Sequence, residues 1–193
     1  MRQLARHLMV VLVSLALSGC PFDSNFPLGV PQRHDIDPRL TGYWVWDDPE
    51  GNGKKPSILV SIAPFNGAEY LVEWIRENGS EPERFRAFQI MIGDQAFWNV
   101  NLVQTSSPPA WYNFVQSTLV NDSLLSTKIV GDKIVPGPLA SDASGLRTFL
   151  ASHLDDPLLY DSESAIWRRP KVDEIKRGRL QSWGAQSAPV SEK

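Results

Sequence analysis

Pairs of residues that tolerate a left-handed backbone recur through the middle of this chain: Asn66-Gly67, Asn78-Gly79, Gly93-Asp94 and Asn121-Asp122. Each pair sits between short runs in which apolar and polar residues alternate, the pattern of a half-buried strand followed by a tight hairpin turn. Ser57 to Ala63 places Ile58, Val60 and Ile62 on one face. Ala68 to Arg76 sets Tyr70, Val72 and Trp74 against Glu69 and Glu73. Arg84 to Ile92 carries Phe88, Ile90 and Ile92 together, and Ala96 to Val103 sets Trp98, Val100 and Leu102 against Asn99 and Asn101. Trp111 to Val120 and Leu124 to Val130 continue the series. Gly131-Asp132 ends it, with Ile134-Val135 as a further short strand. Leu40 to Trp46 reads as the first strand and Glu163 to Trp167 as the last. The chain is therefore mainly β. About eight strands joined by tight turns predict an up-and-down meander, which removes its exposed edges by closing into a barrel; a β-sandwich is the alternative. One helix is expected, from Ser141 to Leu154, with Leu146, Phe149, Leu150 and Leu154 on one face. Ser141 or Asp142 caps its start, Pro157 stops it, and its apolar face is expected to seal the side or mouth of the barrel.

The N-terminus follows a different rule. Arg2, Arg6 and His7 precede an apolar run from Leu8 to Leu17 that only Ser14 interrupts. A bilayer-spanning helix needs about 20 apolar residues, so this run is a signal-peptide core rather than a span. Leu17-Ser18-Gly19-Cys20 at its end resembles the lipobox of bacterial lipoproteins in all four positions. The resemblance implies that the Cys20 thiol takes a diacylglycerol, that residues 1–19 are removed, and that the new amino group is commonly acylated. Several acyl chains on one residue anchor a protein stably where one chain does so only marginally. In lipoproteins of this kind an Asp after the Cys directs retention in the inner membrane; Pro21 stands there instead, which implies the outer membrane, on its periplasmic face. Cys20 is the only cysteine, which excludes an intramolecular disulfide.

Residues 20–38 hold Pro21, Pro27, Pro31 and Pro38 and read as a stiff, extended tether, with docking of Phe22 and Phe26 on the domain as the other possibility. The domain itself spans residues 39–170. Residues 171–193 read as a loose polar tail made basic by Lys171, Lys176, Arg177 and Arg179.

Gly42-Tyr43-Trp44 at the start of the first strand resembles the Gly-x-Trp signature of lipocalins. That resemblance implies a barrel whose closed end is plugged by Trp44, with Arg168 or Arg169 packed across it. The wider run Asp37-Pro38-Arg39-Leu40-Thr41-Gly42-Tyr43-Trp44 is similar to the opening of a group of bacterial lipoproteins of unassigned activity. These also end in a Phe-Leu helix and an Arg-Arg pair, here Phe149-Leu150 and Arg168-Arg169. A lipocalin-like barrel with Gly42, Trp44 and Arg168 as its structural signature is the expectation, and no activity comes with it.

Formal charge is −3, and the mature chain, having lost Arg2 and Arg6, stands at −5. An acidic domain argues against nucleic acid as a partner. His34 and His153 are far apart, and no second cysteine exists to help them hold a metal; His153 reads as a helix-end residue meeting the negative dipole. Asp48, Glu50, Asn52 and Gly53 faintly resemble a calcium loop, but the closing ligand would fall on Leu59. No Gly-x-Ser-x-Gly elbow or Gly-rich phosphate loop occurs, and Glu69 and Glu73 read as outward-facing. No residue is assigned a catalytic role, and no cofactor or metal is expected. Tyr70, Trp74, Phe88 and Trp98 are the candidate pocket for a small apolar ligand. The expected function is that of a membrane-anchored binding barrel for such a ligand or for an envelope protein. A structural or assembly lipoprotein is the alternative, and an envelope hydrolase ranks third.

Overall fold

Alternation along the strands decides the architecture. The computed structural model describes residues 20–32, 36–46, 58–76, 81–103, 111–161 and 164–177. Eight strands follow one another: β1 (Gly42–Trp46), β2 (Ile58–Pro64), β3 (Tyr70–Arg76), β4 (Glu83–Ile92), β5 (Gln95–Leu102), β6 (Tyr112–Asn121), β7 (Leu124–Ile129) and β8 (Ala165–Arg168). Each pairs antiparallel with the next, and β8 returns to β1 through Val45↔Arg168 and Trp46↔Trp167, so the sheet is a closed up-and-down barrel. The architecture is lipocalin-like, and the sandwich alternative falls away.

The turns are built by two devices. Gly93 takes φ +61° between β4 and β5, where a side chain would strain the backbone. Between β2 and β3 it is Asn66 that matters, because its Oδ1 accepts from the amides of Ala68 and Glu69. Gly67 is not left-handed there, so Asn66-Gly67 acts through a side-chain hydrogen bond rather than through positive φ. Asn78-Gly79, the candidate calcium loop, His34, residues 1–19 and the tail beyond residue 177 lie outside the described residues.

The sheet buries apolar side chains on both faces. Inside the barrel, Trp44, Val60, Ile62, Tyr70, Ala87, Trp98 and Leu125 form one cluster, with Leu40 closing over it. Outside, over β4 to β7, a second cluster joins Ile92, Phe97, Phe114 and Val130 to the helix α1 (Ala143–Ser152) through Leu146 and Leu150. β5 shows why both are needed: Phe97 and Trp98 are adjacent, point to opposite faces, and are both buried. The helix thus seals the side of the barrel. It ends at His153, several residues before Pro157, which instead opens a 3₁₀ turn at Pro157–Leu159. Ile134-Val135 is not a strand; Val135 packs into the outer cluster in the long connection from β7 to β8.

The segment read as a tether is instead a strap along the barrel wall. Phe22 and Leu28 are buried in the outer cluster, and Ser24 is fully enclosed. Backbone bonds hold the strap: Phe22 N–H donates to Val130 O at 2.9 Å, while Ser24 and Tyr112 exchange N–H···O bonds at 3.0 and 2.8 Å. The prolines fit this role, since a strand riding on an outer face need not donate at every residue. Alternating burial of Phe22 and Leu28 outweighs the stiffness and polarity that suggest a free spacer. The strap begins beside Gly131 at the end of β7 and crosses β6 and β5. It passes Ile90 of β4 at Gly29, and residues 36–41 then lie across the other end of the barrel before β1 starts.

Asn99 locks the crossing. It is fully buried on the outer face of β5, and its Oδ1 accepts from the Leu28 amide at 2.6 Å. Substituting Asn99→Ala leaves that amide without its acceptor, which costs about 1–2 kcal/mol. Hydrogen exchange should find the Leu28 amide exchanging about tenfold faster, with strand amides in β1 and β2 unaffected.

Candidate functional site

The end of the barrel where β1 starts is shut by one residue reaching over another. Gly42 has φ +104°, and a Cβ there would lie 3.1 Å from a terminal nitrogen of Arg169. Beneath it the Trp44 indole donates to Leu40 O at 2.8 Å and is almost wholly enclosed. The Arg169 guanidinium lies 3.8 Å from the centre of the Trp44 ring. It donates to Thr41 O at 2.8 Å, to Tyr43 O at 3.4 Å, to Arg39 O, and to Asp122 O at 3.2 Å. Burial pulls its pKa down from the usual arginine value, partly offset by the Asp122 carboxylate. Of the two candidates for this position, Arg169 fills it and Arg168 does not. Alternation along β8 sends Trp167 inward and Arg168 outward, where Arg168 forms a two-pronged pair with Glu174 at 2.7 and 2.9 Å. Arg169 lies just past the strand, at the rim, where it can fold back over the end.

Two predictions separate the arginines. Removing the Arg169 guanidinium strips a donor from two part-buried carbonyls and two exposed ones, and the cation from the Trp44 face, so Arg169→Ala should cost about 2 kcal/mol in urea unfolding. Arg168→Ala should cost about 1 kcal/mol or less, as a half-exposed ion pair does. The hydrogen bond from Arg168 holds the Glu174 carboxyl at about 2, against 4.5 for an ordinary glutamate. A depressed carboxylate stabilises above its ordinary pKa and loses that contribution as pH falls toward the folded value. The short helical stretch over 172–177, the described part of the expected tail, should therefore stay docked above pH 4.5 and detach between 4.5 and about 2. Exchange of the Lys171 amide, which donates to Glu174 Oε2 at 2.6 Å, reports it, and Glu174→Gln should flatten the pH dependence.

Three of the four candidate pocket residues face inward. Tyr70 and Trp98 meet at 4.9 Å between ring centres. The Tyr70 hydroxyl accepts from the Asp37 amide at 2.6 Å, and the Trp98 indole donates to Ser117 Oγ at 2.8 Å, so both are settled core residues. Trp74 lies nearer the opposite end, termed the open end only to distinguish it from the one Arg169 seals, since its connections 47–57, 77–80 and 104–110 lie outside the described residues; it sits 6.3 Å from Phe85 and 6.4 Å edge-on from Trp167. Phe88 is not with them. Ala87 beside it points inward, so Phe88 falls on the outer wall, where it is buried. The open-end cluster of Trp74, Phe85 and Trp167 has one unusual member. Trp167 donates to Thr127 Oγ1 at 2.8 Å, but the Trp74 indole nitrogen is enclosed and has no partner among the described residues. Buried polar groups are nearly always paired, and an exception calls for a reason such as an absent ligand or water.

A separate groove of about 760 Å³ lies outside the barrel, between the outer faces of β5 to β7 and the end of α1. Its lining is polar and includes Gln95, Gln116, Thr118, Lys128 and Asp155, with Tyr160 at one side. Burial, helped by the Asp155 charge, pushes the Tyr160 hydroxyl up to about 12. Lys128 sits 4.9 Å from the Tyr160 ring centre, and Gln116 donates to Gln95 at 2.9 Å. The carboxylates that could act as an acid–base pair are otherwise engaged on the outer wall, Glu73 with Arg84 at 3.0 Å and Glu69 with Arg86. His153 caps the helix, its Nδ1 2.8 Å from Phe149 O and its ring stacked on Phe149. Among the described residues no group of three His, Cys, Asp or Glu side chains is placed to hold a metal, and no helix is long and apolar enough to cross a membrane. Comparison with protein-family models, with curated proteins and with solved structures gave no match.

Proposed function

We propose that this chain is a lipid-anchored, lipocalin-like binding protein of the bacterial envelope, tied through acylated Cys20 to the outer membrane on its periplasmic side. Its cargo is a small, largely apolar molecule with at least one acceptor oxygen. The observation that carries the reading is the enclosed indole N–H of Trp74, without a partner among the described residues, beside Phe85 and Trp167 at the open end. Aromatic faces there offer dispersion contact to an apolar body, and the indole offers one hydrogen bond that fixes its orientation. No covalent step is needed. The lipobox and the absence of Asp after Cys20 support the anchor and its destination.

A second reading, a structural or assembly lipoprotein without cargo, is favoured by the closed half of the barrel, where Trp44, Tyr70 and Trp98 fill the interior. Native mass spectrometry of the mature lipoprotein, extracted in detergent, tests both readings. Cleavage before Cys20, acyl chains and an added small molecule are expected. Titration with palmitic acid, a probe with an apolar chain and acceptor oxygens, should quench tryptophan emission. The Trp74→Phe variant keeps an aromatic ring and loses the N–H together with the five-membered ring that carries it, so it should bind the probe at least about tenfold more weakly. No bound molecule and no response to the probe would leave the structural reading.

A further inference from the structure

The position of Cys20 on the barrel carries a consequence for how the molecule stands. The two ends of the barrel differ. At one, β4 and β5 are joined at Gly93-Asp94 and β6 and β7 at Asp122-Ser123, and Arg169 seals Trp44 in place. At the other lie the ends of β1, β3, β5 and β7 and the starts of β2, β4, β6 and β8. Cys20 is at this second, open end, and it is fixed there. Its N–H donates to Asp132 Oδ1 at 3.2 Å and its carbonyl accepts from the Asp132 amide at 3.0 Å. Pro21 bridges to Gly131, and the Phe22 amide donates to Val130 O at 2.9 Å. Cys20 itself is exposed. Acylating its amino group leaves an amide N–H, so the bond to Asp132 survives maturation.

We infer that the open end of the barrel rests on the phospholipid bilayer that holds the acyl chains, with the sealed end pointing away from it. This rests on the anchor reading above. An acylated cysteine must keep its sulfur at headgroup depth, and no spacer separates Cys20 from the barrel wall, so the wall beside it is brought to the same depth. Exposed apolar side chains occur at both ends: Leu102, Val103 and Trp111 at the open end, Phe65, Met91 and Val120 at the sealed one. They do not choose between the ends; the fixed cysteine does. It turns Leu102, Val103 and Trp111 into the contact surface, a setting that suits an amphipathic indole. The cluster of Trp74, Phe85 and Trp167 then lies at the end nearer the lipid, which shortens the path of a cargo drawn from the membrane.

The difference between the ends is large enough to measure. A strand of ten residues at about 3.3 Å each, tilted by about 40°, spans about 25 Å along a barrel axis. Acylation occupies the only native thiol, so one introduced cysteine takes a nitroxide label cleanly. Val103→Cys marks the open end and Phe65→Cys the sealed end; both replace exposed side chains. The mature acylated chain is reconstituted into vesicles of phosphatidylethanolamine and phosphatidylglycerol, and each label's collisional access to oxygen and to a water-soluble nickel chelate is read by power saturation. The expected result is a Val103 label favouring oxygen, at or below the headgroups, and a Phe65 label favouring the chelate. Equal access of both labels to the chelate, on a chain whose intact mass shows the acyl groups, would overturn the orientation and leave the anchor standing. An intact mass with no acyl group would overturn the anchor, and the orientation with it.

Discussion

The whole architecture hangs on a narrow seam. Seven of the strand pairs follow directly from chain order, but closure needs β1 to meet β8, and that seam has only two register pairs, Val45↔Arg168 and Trp46↔Trp167. Without it the sheet would present two unpaired edges, β1 and β8, each a template for pairing with another chain. Arg169 strengthens the seam at the sealed end. Its guanidinium reaches carbonyls of Arg39, Thr41 and Tyr43 on the β1 side and of Asp122 between β6 and β7, while its face covers Trp44. A planar cation with several donors can do this, and an ammonium on a flexible stem cannot. Gly42 belongs to the same device, since its left-handed backbone leaves the space the guanidinium occupies.

A closed barrel of this kind needs only one apolar face, yet β4 to β7 carry two. The outer cluster is the reason the strap and α1 exist. Phe97, Phe114 and Val130 would otherwise form an exposed apolar patch, and the strap and helix cover it from opposite ends of the sequence. The strap also links the two ends of the barrel, running from Cys20 at the open end to residues 36–41 across the sealed one. Cys20 and the cluster of Trp74, Phe85 and Trp167 both belong to the open end, while the sealed end is dense with satisfied aromatic side chains.

The strands were legible because period-two alternation survives in the local sequence. Ile58, Val60 and Ile62 share a face in the structure as they do in the pattern. The inner three of the pocket candidates, Tyr70, Trp74 and Trp98, follow the same rule. Phe88 shows its limit: on a strand apolar on both sides, with Ala87 and Phe88 both buried, hydrophobicity does not say which face is the inside. The strap was legible only as the second possibility, docking through Phe22 and Phe26, of which Phe22 is buried and Phe26 is not; Phe22, Ser24 and Leu28 have no partner to bury against until the barrel exists. Composition alone sees prolines and polar residues there. The Trp74 nitrogen, without a partner among the described residues, left no trace in the sequence, because Trp98 and Trp167 look the same until Ser117 and Thr127 are brought beside them.

What the sequence determined by itself was local: strand period, turn chemistry, the helix stripe of Leu146 and Leu150, and the Gly42-Trp44 opening of β1. These depend on neighbours within a few residues. The tertiary structure decided what depends on register and on distance along the chain. It chose Arg169 over Arg168, because one lies beyond the last strand and the other on its outer face. It laid residues 20–32 on the wall instead of leaving them free, because their apolar residues meet a cluster assembled from β4 to β7 and α1. It also set Cys20 at the open end, because the hydrogen bonds that hold it come from Asp132, more than a hundred residues away in sequence and adjacent only once the barrel has closed.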